Sequence, residues 1–341
     1  MGQARLQVRT HGRGGILLPG VALAVWLLSI GPGTTAQNSN PPEIQAHEGP
    51  SLNVTPLLPH RVARSQGAAS EDESVSKTFV DMTPAELAKA VPELKHLEPA
   101  KSQDLLPQIL ERVGANVATF FDNFPNTTCT EQVTSMVDDH MRAATWHSNA
   151  KYNYLALAQA GANQGRLQEF RTDEKGALVR PDAKEAVVTQ GFVSLSGHFH
   201  PEYQPDSRFR YLGRETMEKQ NTYVVAFAQR PKVARQLSFA QFLRQNLIVF
   251  LQGVAWIDPA SFQILRLRTD IEPPQSSVSL LKETTQILYS EVSFRQSDQT
   301  WWLPREVTVT GQLDKYLFHN QHRYTDYRLF KVQIERKQDK P

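Results

Sequence analysis

Two histidines separated by a single residue are the first groups in this sequence that could do chemistry. His198 and His200 lie in the run Gly197-His198-Phe199-His200. On a β-strand, residues at this spacing point the same way, and two imidazoles on one face are suitable ligands for a metal ion. Glu202 or Asp206 could supply a third ligand. In a polar loop the same histidines would merely be solvated, so both interpretations stay open.

A second group of polar residues occupies every second position near the carboxyl end: His322, Tyr324, Asp326 and Arg328. On one regular strand they share a face with the apolar residues that follow, up to Ile334. Charged residues in line with apolar ones predict the rim of a cavity, where a strand leaves the core and meets water. The alternatives are a β-bulge that swaps the faces, or a solvent-exposed Asp326–Arg328 pair.

A third group has the same arrangement of an apolar beginning and a charged end. Arg266, Arg268 and Asp270 alternate along a predicted strand, on the face that also carries Phe262 and Ile264. Together with the carboxyl-terminal group, these residues could ring one opening and attract a carboxylate or phosphate head group. An ordinary solvated strand face is the alternative.

Composition excludes several classes of protein. The 341 residues are 40% hydrophobic and 21% charged, which is too polar for a multi-span membrane protein and too apolar for a wholly disordered chain. A formal net charge of +2 gives no broad basic face for nucleic acid. The single cysteine, Cys129, excludes an internal disulfide. The sequence lacks the GxxxxGK[ST], GxGxxG, HExxH and GxSxG motifs, so we expect no cofactor and no enzymatic activity.

The amino-terminal residues 1–36 have the pattern of a secretory signal peptide. Arg5, Arg9 and Arg13 precede an apolar run from Ile16 to Ile30, and small residues lead to an expected cleavage site after Ala36. A retained membrane anchor is the alternative, although the run is shorter than the ~20 residues that a spanning helix needs. We therefore expect an exported protein, periplasmic or extracellular, without a transmembrane span once the signal is removed.

Two further segments precede the expected main domain. Residues 37–78 contain no Phe, Trp or Tyr, have several prolines and include the polar, acidic run 70–74, which predicts a disordered spacer. Residues 79–126 predict a helical segment that begins with the capping box Thr83-Pro84-Ala85-Glu86. Its second helix carries an apolar stripe: Leu106, Ile109, Leu110, Val113, Val117, Phe120, Phe121 and Phe124. We expect this stripe to pack on the core of the next domain; a free membrane-binding helix is the alternative.

Residues 127–337 predict an antiparallel β domain. Apolar and polar residues alternate with a period of two around residues 288–295 and 301–310. The runs 208–216 and 222–229, and then 246–257 and 262–271, are joined by short turns, which implies antiparallel neighbours. The predicted fold class is α+β, mostly antiparallel β. We expect a curved sheet or incomplete barrel of about 8–11 strands, covered by the amino-terminal helices.

Several runs of this chain resemble a family of uncharacterised secreted bacterial proteins: YLGRE at 211–215, YVVAFAQ at 223–229, GVAWID at 253–258, QILR at 263–266, WLP at 302–304 and HRYTDYR at 322–328. More distantly, the order of these strands is similar to the outer-membrane lipoprotein-sorting carriers (LolA/LolB-like and RseB-like). That resemblance implies an incomplete antiparallel barrel wrapped over helices, with a hydrophobic cavity for acyl chains.

Three functions are compatible with these patterns. The first is an exported, non-enzymatic binding or carrier protein with an apolar cavity for lipid or lipoprotein acyl groups. The second is a structural or interaction module of the cell envelope, with an envelope protein as its partner. The third is a metal-dependent hydrolase that uses His198 and His200. No nucleic-acid partner is expected.

Overall fold

The computed structural model describes ten stretches of the chain: residues 23–29, 77–139, 144–158, 167–179, 192–234, 236–242, 245–272, 280–295, 297–313 and 315–329. The predicted signal peptide lies outside these residues except for Leu23–Ser29, and the predicted spacer lies outside them except for its last two residues. The apolar residues beyond 329 also lie outside the described part of the chain.

The first helix begins where its capping box predicts, and the second ends where the sequence predicts. Helix α1 spans Pro84–Ala90, and the capping box at its start is formed: the Thr83 hydroxyl accepts from the Glu86 N–H at 3.3 Å, and the Glu86 carboxylate accepts from the Thr83 N–H at 2.7 Å. Helix α2 spans Leu106–Asn123 and ends where Phe124 adopts an extended conformation before proline. Among the described residues, no helix has both the length and the apolar character needed to cross a membrane.

Three short 3-10 helices accompany them: Pro92–Leu94, Ser194–Phe199 and Gln204–Asp206. The strands, in chain order, are β1 Leu23–Ser29, β2 Glu98–Pro99, β3 Thr127–Asp139, β4 Ala144–Ala158, β5 Leu167–Thr172, β6 Ser207–Met217, β7 Gln220–Gln229, β8 Gln236–Phe242, β9 Gln245–Ile257, β10 Ile264–Glu272, β11 Leu280–Ser293, β12 Thr300–Leu313 and β13 Tyr316–Leu329.

The strands form one open, curved sheet. Eleven of them follow the order β2-β6-β7-β9-β10-β11-β12-β13-β3-β4-β5, while β8 attaches to β9 and β1 attaches to β8. Every pairing among these strands is antiparallel. The prediction of a mostly antiparallel curved sheet is therefore confirmed. The pairing of β13 with β3 joins distant parts of the chain inside the sheet.

The two faces of the sheet carry two separate buried clusters. Along β7, Val225 and Phe227 belong to the cluster that also contains residues of α2, and we call this side the inner face. Val224 and Ala226 belong to the other cluster, which contains Leu87 of α1, and this side is the outer face. Since successive residues of a strand alternate between faces, the strand register assigns a face to each side chain of the regular stretches.

Helix α2 contacts the inner face mostly through side chains. The Phe120 ring packs edge-on against Trp301 with centroids 5.8 Å apart, and the Arg112 guanidinium lies 5.0 Å from the centre of the Phe262 ring. The Asn116 amide donates to the Ser261 carbonyl at 2.8 Å. Four residues at helical spacing are buried here: Ile109, Val113, Val117 and Phe121.

The close approach of β2 to β6 depends on Gly213, and this can be tested. Gly213 has a φ of +138°, and a Cβ there would lie 1.9 Å from the Glu98 carbonyl oxygen. We expect Gly213→Ala to lower the free energy of unfolding by about 3 kcal/mol, through both clash and backbone strain. Urea denaturation measures this. Gly176→Ala is the control, because Gly176 has a φ of +81° but nothing within 4 Å, and about 1 kcal/mol is expected there. Equal decreases in unfolding free energy for the two variants would show that a clash with the Glu98 carbonyl does not contribute at Gly213.

Candidate functional site

The predicted histidine pair does not share a strand face. His198 lies within the 3-10 helix Ser194–Phe199, and His200 caps its end, so the expectation of a strand is wrong. His198 is 1% exposed and stacks on Phe227 at 5.2 Å, whereas His200 is half-buried and packs edge-on against Phe121 at 6.1 Å. Burial lowers the pKa of His198 to about 4, so its imidazole is neutral at pH 7. The described residues contain no cluster of three metal-ligating side chains.

The carboxyl-terminal group is divided by a bulge. His322 and Tyr324 are buried on the inner face, but Asp326 and Arg328 are exposed. Between Thr325 and Arg328 the register shifts, and Asp326 has a φ of +57°. The prediction that all four polar residues share one face is therefore wrong, and the alternative of a β-bulge is correct.

The arginine group lies on the outer face. Arg266, Arg268 and Asp270 do share one side of β10, but Phe262 and Ile264 belong to the inner cluster. The reason is a register shift between Ile264 and Arg266, which inserts one extra residue on β10. This group cannot ring one opening with His322 and Tyr324, because the two groups lie on opposite faces of the sheet.

Arg268 instead fixes the amino-terminal helices to the outer face. Its Nε donates to Asp270 Oδ2 at 2.8 Å, and its Nη1 donates to Glu93 Oε2 at 2.8 Å. Its Nη2 donates to the carbonyl of Ala90, the last residue of α1, at 3.1 Å. Asp270 also accepts from the Thr284 hydroxyl at 2.5 Å. These bonds occupy the charged groups of Arg268 and Asp270, and the Arg266 guanidinium lies 5.2 Å from the centre of the Trp256 ring, so the contacts seen on this face are structural.

A buried set of polar side chains lies on the inner face, and only two of them, His322 and Tyr324, were among the predicted site residues. We call the set the polar cluster: Glu131, Tyr154, Glu169, Arg171, His322 and Tyr324. They come from β3, β4, β5 and β13, four adjacent strands at one end of the sheet. The register explains the grouping, since Tyr324 pairs with Glu131 across β13 and β3, and Tyr154 pairs with Arg171 across β4 and β5.

Glu131 is the centre of the polar cluster. It is fully buried, and it accepts from Arg171 Nη2 at 2.7 Å, from the Arg171 Nε, and from the Tyr324 hydroxyl at 2.8 Å. The His322 Nδ1 lies 2.8 Å from the same carboxylate. Burial alone would raise the pKa of Glu131, but the charge and hydrogen bonds of Arg171 outweigh it and lower that pKa to about 2. Burial also lowers the pKa of His322, so its neutral ring donates to Glu131.

Glu169 connects the sheet to the 3-10 helix Ser194–Phe199. Its carboxylate accepts from the Val193 N–H at 3.2 Å, from the Ser194 N–H at 3.0 Å and from the Ser194 hydroxyl at 2.6 Å. The Tyr154 hydroxyl donates to the same carboxylate. Burial raises the pKa of Tyr154 well above its usual value, so the phenol keeps the proton that it donates.

Cys129 lies beside the polar cluster and is not a reactive thiol. It is buried on the inner face of β3, opposite the bulge that contains Tyr327. Burial, and then the negative charge of Glu131, raise the pKa of the Cys129 thiol well above its usual value. Because the thiolate is the nucleophile, a thiol that holds its proton is unsuited to covalent catalysis.

A cleft lies where α2 meets the 3-10 helix Ser194–Phe199 and the turn between β9 and β10. Its walls include Val117 and Phe120 of α2, Ile264 of β10, Tyr289 of β11 and Trp302 of β12. It contains about 390 Å³ of space, part of which is open solvent. Around it, the apolar side chains of α2 and of the inner face pack against each other. The cleft is therefore the open part of an interface that is otherwise filled.

The chain matches no protein-family model, and a search of curated proteins also returns no match. Among solved structures, an outer membrane lipoprotein-sorting protein domain from Vibrio parahaemolyticus is 12% identical over 66% of this chain and 94% of that chain, with a TM-score of 0.35. A DUF1329 family protein from Desulfovibrio piger is 9% identical over 66% and 93%, with a TM-score of 0.35. A LolA superfamily protein from Nitrosomonas europaea is 12% identical over 67% and 94%, with a TM-score of 0.32. The distant resemblance to lipoprotein-sorting carriers that the sequence indicates is found again among these matches.

Removing one partner of the buried ion pair should destabilise the fold. We expect Arg171→Met to lower the free energy of unfolding at pH 7 by about 4 kcal/mol, because it leaves the Glu131 charge buried without compensation. The control is Arg208→Met, since the Arg208–Asp81 pair lies at the surface, and it should cost less than about 1 kcal/mol. Urea denaturation measures the free energy of unfolding of both variants. Similar decreases in the two would show that Arg171 does not compensate a buried charge.

The same pair predicts a dependence of stability on pH. The pKa of Glu131 is about 2 in the folded protein against 4.5 in the unfolded chain, so its contribution is complete above pH 4.5 and is lost as the pH falls toward 2. This contribution is about 3 kcal/mol from the size of the shift. We expect the difference in unfolding free energy between wild type and Glu131→Gln to shrink across that range. If the difference in unfolding free energy between wild type and Glu131→Gln stays constant from pH 6 to pH 2, the predicted contribution of the Glu131 charge is wrong.

Proposed function

We propose that the protein is an exported, non-enzymatic carrier that binds an apolar ligand, such as a lipid or a lipoprotein acyl group, against the inner face of its sheet. The observation that carries this proposal is the apolar character of that face over five adjacent strands. Its buried members there are Val225, Phe227, Ala255, Leu267, Ile287, Val307 and Val309. Export rests on the signal peptide that the sequence predicts at residues 1–36.

Helix α2 is the element that an acyl chain would replace. Its contacts with the inner face are the packing of apolar side chains, ring contacts such as Phe120 on Trp301, and the hydrogen bond from Asn116 to Ser261. A helix satisfies its backbone hydrogen bonds internally, so it can move off the sheet without breaking the strand ladder. Apolar burial is roughly proportional to area and has no direction, so an acyl chain can take the place of the helix side chains at similar free energy.

The filled interface supports a second candidate function. Because α2 occupies the inner face beside the cleft, the sheet could serve as a solid structural or interaction module of the cell envelope, with an envelope protein as partner. The third expectation, a metal-dependent hydrolase, is not proposed, because His198 and His200 lie in different surroundings.

Locking α2 onto the sheet tests the carrier function. We expect wild-type protein purified from cells to carry lipid in native mass spectrometry and to take up a fluorescent acyl probe. The Asn116 side chain already reaches the Ser261 backbone, so the two positions are neighbours, and Asn116→Cys/Ser261→Cys is the variant designed to join them by a disulfide. Oxidation should reduce probe uptake by about tenfold or more, equivalent to at least 1.4 kcal/mol, and reduction should restore it.

The single variant Asn116→Cys is the control and should take up the probe under both conditions. Absence of lipid together with absence of probe uptake in wild-type protein would overturn the carrier function. A fixed partner in crosslinking of the native envelope would then favour the interaction module. Uptake that oxidation of the double variant leaves unchanged would show that α2 does not gate the inner face.

A further inference from the structure

The first half of strand β4 has an open edge. β4 contains 15 residues, and β5 pairs with its last stretch, Asn153–Ala158. Residues 144–152 pair with β3 on one side, whereas no strand of the described chain lies on their other side. An open edge presents a row of backbone N–H and carbonyl groups, which is a template for a further strand.

This open edge lacks the usual protection against strand addition. Residues 144–152 contain no proline, their pairing with β3 shows no register shift, and Lys151 is their one Lys, Arg, Asp or Glu. At the other end of the sheet, by contrast, β6 is covered by β2, and the Gln103 side chain exchanges hydrogen bonds of 2.8 and 2.9 Å with the Tyr211 backbone. Edges are normally blunted by charge, proline or a bulge, so a long regular edge fits a strand partner.

The length of the open edge favours antiparallel pairing with the same strand of a second copy. A two-fold axis through Ser148, perpendicular to the sheet, places Ala144 of the second copy one residue before Asn153, where β5 begins to pair. The whole open edge is then paired, with about eight to ten backbone hydrogen bonds. An axis through the preceding residue would leave the last two positions of each open edge without a partner strand.

The side chains that this pairing brings together are compatible. Trp146 and Ala150 share the inner face with Tyr154, because residues two apart in a strand lie on one face. The two-fold axis sets Trp146 opposite Ala150 of the second copy, so a large side chain meets a small one. On the outer face it sets Lys151 opposite Thr145, so no two like charges are directly opposed.

An exposed apolar side chain extends the same surface. Leu178 is 48% exposed, one of two large apolar residues among the described residues with this degree of exposure. It pairs with Thr172, and Thr172 pairs with Asn153, so Leu178 lies just beyond the end of the open edge. In the two-fold arrangement, the end of β3 of the second copy lies beside Leu178. Single exposed apolar side chains are common, but this one adds to the area that a second copy buries.

We propose that the protein forms a symmetric dimer in which β4 pairs antiparallel with β4 of a second copy about a two-fold axis at Ser148. The interface is isologous, since the same edge serves both copies. It joins the two sheets into one, with both inner faces on the same side. This inference does not depend on the carrier function.

Cysteine crosslinking tests the register of the dimer. The natural cysteine, Cys129, is buried, so an introduced surface thiol is the reactive one. Ser148 is exposed, and Ser148→Cys sets two thiols directly opposite each other at the axis, so mild oxidation should link most of the protein into dimers. Lys151→Cys is the matched control and should stay unlinked, because its two copies lie about 20 Å apart along the strands. Thr145→Cys/Lys151→Cys should crosslink again, since these positions face each other.

Analytical ultracentrifugation tests the dimer without crosslinking. Ser148→Lys places two like charges at the axis, and we expect it to raise the dissociation constant of the dimer about tenfold or more. His319→Lys is the control, because His319 is exposed on β13, away from the open edge, and its dimer should dissociate as wild type does. Circular dichroism should show the same folded monomer for both variants.

Several results would overturn the proposal. Wild-type protein that is monomeric at about 100 µM forms no such dimer, a weak affinity even for a transient pair. In that case, a thiol at position 148 that resists maleimide shows that another segment of the chain occupies the edge, and a thiol that reacts shows an edge left open. A dimer that Ser148→Lys does not weaken meets through another surface. Crosslinking of Lys151→Cys as complete as that of Ser148→Cys would exclude this register.

Discussion

The alternation of side chains between the two faces of one sheet determines which residues of this protein meet. With α1 packed on the outer face and α2 on the inner face, a shift of one residue moves a side chain from one cluster to the other. The register shifts are therefore as important as the strands themselves. The shift before Arg266 separates the arginine group from Ile264, and the bulge after Thr325 exposes Asp326.

The polar cluster fixes that register where the inner face is least apolar. Glu131 on β3 and Arg171 on β5 pair across the intervening β4, so three strands must keep one alignment for the charges to meet. A slip of one residue would turn Glu131 to the outer face and leave Arg171 buried without a partner. A buried ion pair adds little net stability, but its loss is costly, so its main effect is to select one pairing of the strands.

Local signals were sufficient to predict several of the elements but not their arrangement. The capping box at Thr83 and the apolar stripe before Pro125 predict both α-helices, and the alternation within 208–229 predicts the hairpin of β6 and β7. The pairing of β13 with β3 is non-local, and no short-range pattern specifies it.

The sequence pattern of β3 and β5 does contain an indication of the polar cluster. Glu131 stands in line with Cys129 and Val133, and Arg171 stands in line with Leu167, so a charge occupies an apolar position in each strand. That pattern predicts unusual burial of each group, but only the strand order shows that the two groups are partners.

A filled inner face is compatible with a carrier because most of its contacts with α2 are apolar and interchangeable with those of an acyl chain. Apolar contacts of this kind do not distinguish one ligand from another. In a carrier, discrimination would come from the few polar atoms at the interface, because each of them needs a partner with and without ligand. Glu169 and Asn116 have their partners in this structure, whereas the hydroxyl of Tyr289 and the indole N–H of Trp301 have none among the described residues. In the carrier that we propose, the apolar face sets the length and shape of the ligand, and the polar atoms at this interface set its chemistry.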